Sequence, residues 1–234
     1  MRLALWTPRP RAGWVGALAP HLAREAILVP VEADLAVPPA VDVDVYDVAD
    51  DPAHGFVYRA LLRRPGVVVL EHWCLHRLVY AETAGCGDVA AYRREARLCR
   101  GQTGTFVAEQ VLAGRGGALP SLVPWNERVL EAALALGTTS EDVRARAQAR
   151  LGSRPVLQLP ADDADAAGGL LSLARAVEQD GDRLLRESRK DRAPEGTLLA
   201  LALDELRPAA LSLALPGVPP DVRELVAAVL PERP

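Results

Sequence analysis

Over the first 160 residues, short apolar runs alternate with stretches whose apolar positions recur every three or four residues. The runs predict strands at Arg2–Thr7, Ile27–Glu32, Val43–Val48, Val67–Glu71, Ala133–Thr138 and Val156–Leu159. Between them the helical period predicts helices over about 14–25, 54–63, 73–83, 88–113 and 140–151. Strands that alternate with helices argue for a mostly parallel sheet covered on both faces, because each crossover between parallel neighbours needs a helix. Val67-Val68-Val69-Leu70 has no polar alternation, as befits a strand buried on both sides. The fold class read from this pattern is α/β, a single Rossmann-like domain over 1–160.

Some boundaries have local causes. Pro65-Gly66 stops the helix ending in Arg63-Arg64 and launches the next strand. Ser140, followed by Glu141-Asp142, is a helix cap with acidic residues placed where the helix dipole favours them. After Pro160 the strand pattern ends. Asp162–Asp165 with Gly168-Gly169 reads as an exposed linker, and Leu170–Ser188, 197–215 and Asp221–Leu230 as helices. The segment 161–234 is therefore expected to be a linker and a helical C-terminal extension. Eight leucines between Leu198 and Leu215 are too many for a solvated helix. They predict packing on the first domain, self-association, or a partner chain.

Composition narrows the function classes. Half of the 234 residues are apolar and a quarter charged, enough for a sizeable core. A net charge of −4 excludes a generally basic nucleic-acid binder. No apolar run reaches the roughly 20 residues that span a bilayer. MRLALWTPRP lacks the apolar stretch of a secretion signal. Three cysteines (Cys74, Cys86, Cys99) without a CxxC fit a reducing setting, so the expected location is the cytoplasm.

The stretch DPAHGFVYRALLRRPGVVVLEHWCLHRLV, Asp51–Val79, resembles the N-terminal half of bacterial family-4 glycosyltransferases of two-domain GT-B architecture. One branch of that family carries a similar N/D-P-x-H-x-F-x-Y helix, then RPGVVVLHD, then LHHL. LALWTPRPRAGWVGALAPHLA resembles the family's opening strand and Pro- and Gly-containing loop. GDVAAYRRE, GGALPSLVPWNERVLE, and TTSEDVRARA before RPVLQLP resemble further segments in the same order. The resemblance covers about Met1–Pro160. It implies the acceptor-side domain of such an enzyme, with the donor-binding domain missing. Glu187 and Glu195 have the E-x7-E spacing of the family's donor site, but ESRKDRAPE lacks its glycines and strand context. The family's His-Asp after the fourth strand is replaced here by Glu71-His72.

Candidate site residues follow from both arguments. Glu71 and His72 lie where ligands meet an open α/β sheet, and either could act as a general base on a sugar hydroxyl. His76, four residues from His72, would share a helix face with it; a third metal ligand is not apparent, and no metal is expected. Arg77 is adjacent. Gly13, Trp14 and Gly16 belong to a strand-to-helix loop over Arg9–Gly16 that could approach a diphosphate, or be only a turn. Asp51 and His54 match the family's D-P-x-H segment, with an Asp51 helix cap as the alternative. Ser140 completes the ligand-binding set.

Three readings stand at this point. The chain is the acceptor-side half of a glycosyltransferase that works with a separate donor chain, a non-catalytic binding or scaffold module of that descent, or a small-molecule α/β enzyme of another class. No cofactor of its own is expected, and a nucleotide sugar only where a partner supplies the site.

Overall fold

The structure is a computed structural model that describes residues 1–8, 14–35 and 37–190. Six strands form one all-parallel sheet: β1 (Arg2–Trp6), β2 (Ile27–Val31), β3 (Val43–Val48), β4 (Gly66–Leu70), β5 (Ala133–Thr138) and β6 (Val156–Gln158). Their spatial order is β2-β1-β3-β4-β5-β6. The helices are α1 (Trp14–Leu22), α2 (Gly55–Arg63), α3 (His76–Glu82), α4 (Val89–Leu112), α5 (Glu127–Ala132), α6 (Glu141–Leu151) and α7 (Asp163–Lys190). The Rossmann-like α/β expectation holds.

Alternation along each strand sends side chains into two separate cores. On one face Trp6, Tyr46, Val68, Leu70 and Leu136 pack with residues of α2 to α6, such as Leu61, Leu78, Tyr92, Val129 and Val143. On the other, Leu3, Leu5, Val45, Val67 and Val69 pack with Leu18 and Leu22 of α1 and Leu170, Leu173 and Val177 of α7. The chain steps one way along the sheet from β1 to β2, with α1 on one face. From β3 to β6 it steps the other way, with its crossovers on the opposite face. Reversing direction and face together keeps every crossover the same hand. Because β2 and β3 flank β1, the direction changes between β1 and β3. In open α/β sheets ligands bind outside the carboxyl ends of the strands at such a switch point.

Three expected elements differ. Residues 162–169 are not an exposed linker: Asp162 Oδ1 accepts the N–H of Ala164 and Asp165, and α7 runs from Asp163 straight through both glycines. Ala166, Ala167 and Leu170 are buried against the sheet, which overrides the weak helix propensity of Gly168-Gly169. The helix expected over 88–113 is an αα-hairpin. Arg100 and Gly101 leave helical geometry, Gly101 at φ 52°, and the arms fold back so that Arg93 pairs with Glu109. The helix expected over 73–83 begins only at His76. The tail leucines and the expected helices over 197–215 and Asp221–Leu230 lie outside the described residues.

Candidate functional site

At the β1/β3 switch point three polar side chains are buried together. Thr7 follows β1 and Asp47 lies near the end of β3; both point to the α1/α7 face, by alternation with Leu5 and Val45. Thr7 Oγ1 donates to Asp47 Oδ2 at 2.8 Å. The other carboxylate oxygen, Oδ1, is buried with no hydrogen-bond partner among the described residues, and Asp47 is only 8 % exposed. His54, also buried, places Nδ1 2.8 Å from the Asp47 carbonyl. A carbonyl only accepts, so Nδ1 carries a proton. Burial raises the Asp47 carboxyl above the usual range, the Thr7 hydrogen bond and His54 oppose this, and Glu71 adds to it.

Glu71 and His72 follow β4 on the adjacent strand and are exposed. Glu71 N–H donates to the Val48 carbonyl at 3.1 Å, extending the β3/β4 ladder. Asp50 then ties the two strand ends to α3: its Oδ1 accepts the N–H of Arg77 and Leu78, at 2.6 and 3.1 Å, and its own N–H faces His72 Nδ1 at 3.5 Å. The far side of the Glu71–Leu75 segment is also held. Asn126 Nδ2 donates to the Trp73 carbonyl and Leu75 N–H to the Pro124 carbonyl. Between those anchors Trp125 has φ 56°, a left-handed conformation that costs a non-glycine residue about 1 kcal/mol. Its stacking on Tyr92 (4.8 Å between ring centres) and its Nε1 bond to the Pro120 carbonyl offset that cost.

The chain matches no family model, curated protein or solved structure.

Among the residues expected at a site, His54, Glu71 and His72 gather at this edge. His76 does not share a helix face with His72, because α3 starts at His76 itself. His76 Nε2 instead meets the Tyr92 hydroxyl at 2.8 Å within a cluster of Tyr80, Tyr92 and Trp125, and burial lowers its pKa. Asp51 caps the turn Pro52–His54 by accepting Ala53 N–H at 2.8 Å. Ser140 caps α6 through Val143 N–H. Arg77 is exposed on α3. Gly16 belongs to the first turn of α1 rather than to a loop, since that helix starts at Trp14; Gly13 lies outside the described residues. Among the described residues no three of His, Cys, Asp and Glu converge as metal ligands would. Glu187 of the E-x7-E spacing lies on α7, bonded to Ser153 and Arg183.

Thr7 and Asp47 are new to the list. Their signal was an aspartate inside a strand otherwise buried on both faces, within VDVDVYDV. A buried carboxylate with an unsatisfied oxygen is held at a cost in stability. Asp47→Asn is therefore expected to raise stability near neutral pH by about 1 kcal/mol. The sign follows from linkage: an acid whose pKa is raised by folding binds protons more readily in the native state, so its ionisation weakens the fold as pH rises through the folded value. The stabilisation from Asp47→Asn should shrink on acidification. Paired melts from pH 8 down to pH 5 check this, and a variant less stable at every pH would contradict it.

Proposed function

We propose that the chain is the acceptor-side half of a two-domain glycosyltransferase of the family-4 GT-B type. Its edge at β1, β3 and β4 holds a hydroxyl-bearing acceptor, and a separate chain supplies the nucleotide-sugar site. The supporting observation is the buried Asp47 oxygen at the switch point, which meets no hydrogen-bond donor among the described residues and which a hydroxyl of an acceptor would complete. His54, held on the Asp47 backbone carbonyl, and His72, beside Asp50, lie at the same sheet edge as groups able to accept a hydroxyl proton. In this reading the protein works in the cytoplasm, in contact with the donor chain or a second copy of itself.

Transfer from a nucleotide sugar needs the departing diphosphate to be held and its charge stabilised. Four carboxylates, Asp47, Asp50, Asp51 and Glu71, crowd the described edge, so it is poorly suited to that task. The isolated chain should bind an acceptor and leave UDP-glucose intact. His72 is exposed, so His72→Ala should change stability by less than about 0.5 kcal/mol. The same change should weaken binding of a simple hexose severalfold in a calorimetric titration. Hydrolysis of UDP-glucose by the purified chain, or hexose binding indifferent to His72→Ala, would overturn the reading.

A further inference from the structure

We infer that the acceptor carries a protonated amino group, seated against Asp47 and Glu71. The inference rests on the acceptor reading above and names the chemical class that this edge selects.

The starting point is the asymmetry of the Asp47 carboxylate. Oδ2 is satisfied by Thr7, whereas Oδ1 is buried and has no partner among the described residues. In its ionised form the carboxylate only accepts, so whatever completes Oδ1 then must donate. The second observation is the sign of the surroundings. Asp47 pairs with Val69, and Glu71 is two residues further on, just past the end of β4, on the same sheet face by alternation and nearer the rim. Its charge acts on Asp47. Asp50 is committed to the N–H groups at the start of α3 and contributes negative charge without offering a proton. The His54 Nδ1 proton is already directed at the Asp47 carbonyl. Against Asp47, Asp50 and Glu71 a phosphate or carboxylate on a ligand would meet like charges.

Two donors are chemically suitable, a neutral hydroxyl and an ammonium. A hydroxyl would satisfy Oδ1 but leave the repulsion between Asp47 and Glu71 in place. An ammonium satisfies Oδ1, has further protons for Glu71, and neutralises the pair where burial strengthens charge–charge contacts. The class is therefore an amino-bearing polyol such as an amino sugar, with its remaining hydroxyls available to His54 and His72.

The test uses the full 234-residue chain and three probes on one scaffold: glucosamine at a pH that keeps its amine protonated, glucose, and glucose 6-phosphate. Calorimetry should show glucosamine binding about tenfold or more tighter than glucose, the scale of one charge-assisted contact, with glucose 6-phosphate weakest. Glu71→Gln, an exposed change that leaves the fold intact, should reduce the glucosamine-to-glucose ratio severalfold. Asp47→Asn should bring it near unity. Equal binding of glucosamine and glucose would overturn the amine inference while leaving the acceptor reading in place. Tightest binding of glucose 6-phosphate would also overturn the inference. Binding of none of the three would remove both.

Discussion

Arg154→Ala is expected to cost about 4 kcal/mol, the scale of stripping a buried charged hydrogen-bond donor from its partners. Arg154 is 3 % exposed and sits beneath the amino-terminal edge of the sheet. One guanidinium nitrogen donates to the carbonyls of Leu130 and Ala133, at 2.8 and 2.6 Å, and Nε faces the Leu151 carbonyl at 3.3 Å. These carbonyls lie where α5 runs into β5 and where α6 ends, places where a helix leaves acceptors unpaired. One side chain therefore seals two chain turns. Arg154→Met keeps much of the apolar stem, so it separates lost packing from lost hydrogen bonds and should recover only a minor part. Urea unfolding with an unchanged slope is the measurement. A loss below about 1 kcal/mol for the alanine variant would show that the carbonyls find other partners or water.

Gly104→Ala should cost about 3 kcal/mol, the upper part of the range for overpacking. A Cβ at Gly104 would lie 1.8 Å from the Ala96 backbone oxygen in the opposite arm of the α4 hairpin. Both contacting groups are backbone, so no rotamer change relieves the clash, and the arms must separate. The Arg93–Glu109 pair across the arms is exposed and would not resist this. Gly101 at the apex needs a different account: its φ of 52° permits alanine only with strain, but nothing lies within 4 Å of a Cβ there. Gly101→Ala should cost about 1 kcal/mol, and the contrast between the two variants in thermal melts separates a close approach from a backbone conformation. Equal losses would contradict the hairpin.

The six strands were legible because buried parallel strands write themselves as unbroken apolar runs, and Val67–Leu70 is the clearest case. Helix starts were readable where a cap residue stood in place, at Ser140 and Asp51. What was hidden depended on distant contacts. The fold-back of α4 needs Gly104 against Ala96, and periodicity within one segment cannot report which segment lies opposite. Asp162 to Gly169 looked like a linker because its composition is polar and glycine-rich, yet burial of Ala166, Ala167 and Leu170 on the sheet makes it helix. At the site, the histidines drew attention by their chemistry. Thr7 and Asp47 were passed over as parts of strands, although an acid inside a two-sided apolar strand was visible in the sequence. Their meeting is set by strand order, with β3 beside β1, which local pattern does not encode.

The placement of α7 has a consequence for the order of events on the ribosome. One sheet face is assembled from β1, β3, β4 and β5, but its cover comes from a helix that ends at Lys190, and Arg175 meets Glu25 across 150 residues of chain. At synthesis rates of roughly 5–20 residues per second, the 28 residues of α7 take about 1–6 s to appear. During that interval Leu3, Val45 and Val67 have only α1 above them. The nascent chain thus presents an apolar, strand-built surface before its last layer arrives. That interval is where a ribosome-associated chaperone would act, and where slow codons ahead of Asp163 would do most harm.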